Sequence, residues 1–250
     1  MKTVKKVIAF SLAFLMMFCM LTPAISGASV RIDDEIIAEL PFALISDIHY
    51  YPPSYMGNNN PAWNDYVSMS AKEYEESEAL VKTALDSIML KAETEDYKYL
   101  LIPGDLTKDS EFEGHSQLAT ILEEFEKKSG IEVFVINGNH DINVQAACTF
   151  ENGTKEPAKA TTQTEFREIY KNLGYDHAIS EYIPPEGTTQ GGLSYAADLD
   201  DNYRLIALDS CKYDAENPAK QQTDGMISDD TMQWVKDMAA DAIANGITPI

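Results

Sequence analysis

Three apolar runs, each leading straight into a polar cluster, constrain this chain more than any other feature. Phe42-Ala43-Leu44-Ile45 precedes Asp47-Ile48-His49, Tyr99-Leu100-Leu101-Ile102 precedes Gly104-Asp105, and Val133-Phe134-Val135-Ile136 precedes Gly138-Asn139-His140-Asp141. Short continuous apolar runs bounded by Gly and Pro read as strands buried on both faces of a parallel sheet. Helical periodicity separates them. Leu80, Ala84, Leu85, Ile88 and Met89 share one face within residues 70–93. Leu118, Ile121, Leu122 and Phe125 do so within 113–128, where Gly130 supplies a stop. This β-α-β-α-β order predicts parallel strands joined by helical crossovers. Ligands in open α/β sheets bind beyond the carboxyl ends of the strands, so the three clusters are expected on one rim. Three Asp, two His and an Asn converging there suit a metal site built for hydrolysis.

The remaining chain is read more coarsely. Residues 50–61, dense in Pro, Gly and Asn, are expected as a loop. Its Tyr50, Tyr51 and Tyr55 either wall a pocket or pack the loop onto the domain. Residues 142–163 form a polar insertion containing Cys148, and a short helix follows over 164–173, stopped by Gly174. The segments 194–199 and 204–208, with Asp200-Asp201-Asn202 between them, read as an antiparallel pair. A helix over 229–245 has Ser228 as its N-cap, and 247–250 begins another strand. Trp63 and Trp234 read as packing anchors, His115 as a surface residue near a helix start, and Asp209 as a turn former.

The first 28 residues differ from the rest. Lys2, Lys5 and Lys6 precede an uncharged run over 7–21, and Ser26-Gly27-Ala28 offers small residues for cleavage. This is the pattern of a secretory signal, too short to span a bilayer, which takes about 20 apolar residues. Cys19 follows the bulky Phe18, which argues against lipid attachment. Residues 29–40 are a lead-in, and 41–250 are expected as one domain, secreted or at the cell envelope, with no stable membrane insertion once the signal is removed. Loss of the signal takes three of the 19 basic residues and none of the 41 acidic ones, leaving 16 against 41, a net charge of −25. Such acidity argues against general nucleic-acid binding and against docking on anionic membranes. An anionic substrate would then need local positive charge, which bound cations supply. Cys148 and Cys211, the cysteines outside the signal, are too few for a disulfide scaffold and are left free or paired.

The chemistry of the third cluster is the most specific. Asn is an unusual metal ligand, contributing a neutral carbonyl oxygen suited to hard or borderline divalent ions. Asp-x-His as Asp47 and His49, Gly104-Asp105, and Gly138-Asn139-His140-Asp141 together resemble the calcineurin-like metallophosphoesterase family. The resemblance implies a four-layer α/β/β/α sandwich with mixed sheets. It also implies two divalent ions (Mn, Fe or Zn) and hydrolysis of a small-molecule or cell-envelope phosphomonoester or phosphodiester by a metal-bridging hydroxide. In the family's terms Asp47 and His49 would bind the first metal, Asp105 both, and Asn139 the second. His140 would act as general acid or charge stabiliser, with Asp141 orienting it.

Two departures accompany the resemblance. The family completes its site with a lone His and a Gly-His-x-His segment, whereas the four His here are His49, His115, His140 and His177. The expectation is that these residues are an N-terminal piece of a longer protein, weak or inactive alone. The alternative is a degenerate, catalytically inactive metal-binding or structural protein of the cell surface. Secondly, Lys108 stands where the purple acid phosphatase branch has a Tyr on iron, which points to a colourless metal pair.

Overall fold

The computed structural model describes residues 40–212 and 223–250. The expected signal (1–28) and nearly all of the lead-in (29–40) lie outside the described residues. The elements begin with β1 (Phe42–Leu44), α1 (Pro53–Met56), α2 (Pro61–Ser68), α3 (Ser77–Glu95), β2 (Tyr99–Ile102), α4 (Phe112–Ser129) and β3 (Glu132–Val135). They continue with β4 (Cys148–Thr149), β5 (Glu156–Pro157), α5 (Gln163–Ile169), β6 (Ala178–Glu181), β7 (Tyr195–Asp198), β8 (Tyr203–Ala207), α6 (Asp229–Ala244) and β9 (Thr248–Pro249).

The three apolar runs form a parallel sheet in the order β1-β2-β3, with Leu44 opposite Leu101 and Leu101 opposite Phe134. Ala43, Leu100 and Val133 are buried in one cluster with Val81, Leu85 and Ile88 of α3 and Leu118, Leu122 and Phe125 of α4. Strands β2 and β3 are largely buried on both faces, which selects continuous apolar runs, whereas at the sheet edge β1 buries Ala43 and leaves Phe42 and Leu44 exposed, contrary to the expectation. A second sheet, β6-β7-β8-β9, is antiparallel except for its last pair, in which β9 runs parallel to β8. Two tyrosines bridge the sheets. Tyr195 on β7 donates to the Val135 carbonyl at 3.0 Å, and Tyr99 on β2 donates to the Leu199 carbonyl at 2.5 Å. Buried Arg204 ties β8 to its neighbours, donating to Asp198 at 2.6 Å and to Asp241 of α6 at 2.8 Å. The layers are therefore helices, parallel sheet, mixed sheet and α6, the four-layer α/β arrangement expected. No helix among the described residues is long and apolar enough to cross a membrane.

Several boundaries differ from the sequence reading. The loop over 50–61 contains α1 and leads into α2, each with a proline in its first turn. Proline there loses only an N–H that had no intrahelical partner, and Asn60 caps α2 by accepting from Ala62 N at 3.0 Å. A 3-10 turn at Tyr74–Glu76 delays α3 to Ser77. Strand β6 was not anticipated, its short segment being too polar for a strand pattern. Tyr50 and Tyr51 are 1% and 0% exposed, so packing is their role. Trp63 stacks on Tyr51 with ring centroids 4.9 Å apart. Both described cysteines are free.

Glu126 on α4 gives the fold a pH dependence. Its Oε1 accepts the Val133 N–H at 2.6 Å, pinning α4 to β3. Burial pushes its carboxyl up to about 7, and the nearby Asp176 and Glu132 carboxylates add to this against the pull of Val133 N–H and His177. An unfolded Glu titrates near about 4.3. Glu126 therefore stabilises the fold fully below that pH, and the contribution is lost as pH rises through about 7. Glu126→Gln keeps the acceptor and removes the ionisation. The thermal midpoint of the variant relative to the parent should rise between pH 5 and pH 8, as calorimetry at both pH values would record.

Candidate metal centre

The rim is built by three backbone segments running on past their strands. Asp47 N donates to Gly104 O at 3.3 Å, His49 N to Asp105 O at 2.9 Å, and Tyr50 N to Leu106 O at 2.9 Å. Holding this course puts Asp47, His49 and Asp105 in the left-handed region, at φ 56°, 47° and 50°. Each such residue costs on the order of 1–3 kcal/mol unless its surroundings enforce it. At Asp105 a glycine contact enforces it, and at Asp47 and His49 the backbone bonds to Gly104 O and Asp105 O do so. A Cβ on Gly138 would lie 2.3 Å from both the backbone N and Oδ1 of Asp105, and one on Gly104 would lie 2.6 Å from Gly138 N. The β2 and β3 segments therefore meet backbone to backbone, and only glycine permits the approach.

The side chains gather accordingly. His49 Nε2 lies 4.0 Å from Asp47 Oδ1 and 3.9 Å from Asp105 Oδ2. One potential ligand atom from each of His49, Asp105 and His140 falls within 4.8 Å of the others. The His49 and His140 rings meet edge to face at 4.7 Å. Asn139 lines the same cleft as Asp47 and Asp105, a space of about 500 Å³ that continues between the sheets past Leu101, Phe134 and Tyr195. Two carboxylates, an imidazole and an amide oxygen form a donor set for Mn²⁺, Fe²⁺ or Zn²⁺, so the residues present fit divalent cations. The His49 pKa is lowered by burial and by the Lys72 ammonium, which keeps the ring in its neutral, ligating form. Lys72 Nζ sits 2.6 Å from His49 Nε2.

The structure gives Asp141 and His140 partners that the sequence did not suggest. Asp141 is fully buried and accepts backbone N–H groups from Gly138 at 2.7 Å, Thr107 at 2.9 Å and Leu106 at 3.1 Å. Burial pushes its carboxyl up to about 7 against those three donors. Its carboxylate thus fastens the β2 and β3 segments together. At the ring Nδ1 of His140 the carboxylate is that of Asp109, whose Oδ1 lies 3.2 Å away, beside the Lys108 carbonyl at 2.6 Å. Two acceptors at Nδ1 fix the proton on that nitrogen, so Nε2 is the atom that can exchange a proton. Burial would lower the His140 pKa, but Asp109, Asp105 and the Lys108 carbonyl outweigh it and raise it.

His115 is a correction. It is not at the surface but 0% exposed, with Nε2 near Thr107 Oγ1 (3.1 Å) and the Asp141 carbonyl (3.0 Å), and Nδ1 2.9 Å from Tyr170 OH. Burial holds its pKa down to about 3, so it is a neutral strut beneath the Asp141 turn. Asp209, just past β8, forms the turn expected of it, accepting Cys211 N at 3.1 Å, and is also buried, accepting from Asn137 Nδ2 at 3.1 Å and so tying the second sheet to the His140 segment. Asp109 and Lys72 had no motif to mark them, although Asp109 lies close to Gly104-Asp105 in sequence.

The Lys72 ammonium and a metal cation would compete for the same nitrogen lone pair. Two unit charges about 4 Å apart repel by about 1 kcal/mol in water, and a divalent cation doubles this, so Lys72→Met should tighten divalent-cation binding by roughly thirtyfold, read by calorimetric Mn²⁺ or Zn²⁺ titration.

Comparison with known proteins completes the description of the site. The model of the family described as calcineurin-like phosphoesterase matches residues 40–245. No curated protein matches the chain. Among the solved structures that do, one is the crystal structure of a dimetal phosphatase from Danio rerio. It is 13% identical, the match covers 83% of this chain and 67% of that chain, and the TM-score is 0.47. The family match takes in all three clusters, nearly the whole of both sheets and the helices between them, and the chain belongs to the calcineurin-like phosphoesterase family.

Proposed function

We propose that this chain hydrolyses phosphomonoesters or phosphodiesters of small molecules or of the cell envelope, with two divalent cations. The observation that carries the reading is the gathering of His49 Nε2 with Asp47 Oδ1 at 4.0 Å and Asp105 Oδ2 at 3.9 Å, with the His140 ring beside them and Asn139 on the same rim. Asp47 and His49 would hold one cation, Asn139 the other, and Asp105 both. Bound there, such cations acidify water and neutralise charge on the phosphoryl oxygens.

The chain's own groups supply the rest. His140, with its Nδ1 proton held by Lys108 O and Asp109, would donate from Nε2 to the departing oxygen or to a phosphoryl oxygen. No nucleophilic side chain is required. Lys108 departs from the Tyr of an iron-tyrosinate site and supports Mn²⁺, Fe²⁺ or Zn²⁺. The basic start and uncharged run of residues 1–28 support a secreted or cell-envelope location.

Asp105→Asn tests the reading, because Asn is tolerated at positive φ and removes only the bridging charge. Hydrolysis of p-nitrophenyl phosphate and bis-p-nitrophenyl phosphate in Mn²⁺ or Zn²⁺ should fall by more than the roughly 10–100-fold that outer-shell changes cost. Bound metal, measured by mass spectrometry, should fall with it. Retention of both would show the site to be misassigned.

A further inference from the structure

Lys108 is a fully buried cation, 0% exposed, that the proposed hydrolysis does not use. The ammonium pairs with Asp109, lies 3.3 Å from Glu111 Oε1 and 3.7 Å from Cys148 Sγ. Three tyrosine rings surround it, Tyr66 at 5.3 Å, Tyr51 at 5.6 Å and Tyr74 at 5.8 Å from Nζ to centroid. These rings come from the segment around α2 and the turn before α3. A buried Lys is costly unless paired and hydrogen-bonded. Burial alone would lower its pKa, yet the Glu111 and Asp109 carboxylates hold it well above the ordinary value.

The two oxygens of Asp109 divide their work. Oδ2 takes the Lys108 ammonium and Oδ1 faces His140 Nδ1. The Lys108 carbonyl is the second acceptor at that same nitrogen. One residue therefore contacts His140 with its backbone while its side chain fixes the carboxylate beside it. Glu111 completes the frame, since its Oε2 accepts Asp109 N at 2.8 Å.

We propose that Lys108 is a positioning residue, which holds the His140 ring in its proton-donating orientation through Asp109 and couples that orientation to the tyrosine cage of the α2 segment. The proposal rests on the phosphoesterase reading for its consequence in catalysis, but the ring orientation itself does not.

Lys108→Met leaves Asp109 and Glu111 both buried without a cation and risks unfolding. The double variant Lys108→Met/Glu111→Gln removes one carboxylate along with the ammonium and serves as the folded counterpart, checked by its thermal midpoint. In protein labelled with ¹⁵N-histidine, the Nδ1 proton of His140, assigned by its absence from His140→Ala, should give a downfield, slowly exchanging resonance. In the double variant that resonance should move upfield and exchange with water at least tenfold faster. An unchanged resonance in the folded double variant would overturn the proposal. Hydrolysis reads the consequence. In Mn²⁺, an alkyl phosphate with a poor leaving group should lose about tenfold more kcat than p-nitrophenyl phosphate in both His140→Ala and the double variant. Selective loss in His140→Ala alone would also overturn it. If His140→Ala lacks selectivity while the resonance responds as expected, the proton-donating role of His140 fails and the positioning by Lys108 stands.

Discussion

Everything at the rim depends on the contact between two stretches of bare backbone. Gly104 and Gly138 let the chain leaving β2 and the chain leaving β3 approach closer than any side chain allows. From that approach follow the bond from His140 N to Asp105 Oδ1 at 3.0 Å and the triple capture of Asp141 by Gly138, Thr107 and Leu106. Asp105 is thus held by the segment it must work beside. Beneath them, neutral His115 and Tyr170 form a buried floor, which matches the demand that buried polar groups find partners. The Asp141 carboxylate is held by three main-chain donors, and main-chain partners cannot change rotamer.

How much of this was legible in the sequence follows from how local each cause is. The parallel strands and the α3 and α4 crossovers were legible because apolar runs and helical periodicity are written in neighbouring residues. The antiparallel β7–β8 pair and the Ser228 cap were legible for the same reason, Ser228 Oγ accepting Thr231 N at 3.0 Å. The three clusters could be assigned to one rim because strand direction alone puts them there. The helices α1 and α2 were hidden by prolines that break helices internally but start them well. His115 was misread because its burial comes from Tyr170, 55 residues away, and no local pattern encodes that. The partner of His140 was misplaced for a related reason. Adjacency in sequence favoured Asp141, whereas the turn sends that side chain inward and brings Asp109 across from another segment.

The charge distribution separates into two regimes. Outside, acids exceed bases by 22 over the whole chain, which keeps the surface repulsive to polyanions. Inside, nearly every carboxylate near the rim has an assigned partner: Asp109 and Glu111 on Lys108, Asp141 on backbone N–H groups, Asp209 on Asn137. Against these, Asp47 has a largely exposed carboxylate and Asp105 turns an oxygen toward His49. The negative charge least committed to the protein is thus concentrated where a cation would be held.

The left-handed backbone of Asp47, His49 and Asp105 also bears on how such a chain can drift. Asp, Asn and His adopt that conformation at lower cost than β-branched and bulky residues, and Gly at almost none. Selection for folding alone therefore restrains these three positions to a small alphabet that overlaps the alphabet of metal ligands. A descendant that abandoned hydrolysis would keep a recognisable Asp-x-His and Gly-Asp for reasons of chain geometry. Asn139 has an ordinary negative φ and lies outside that restraint. In a set of related chains, it is the position whose variation would track the chemistry and not the fold.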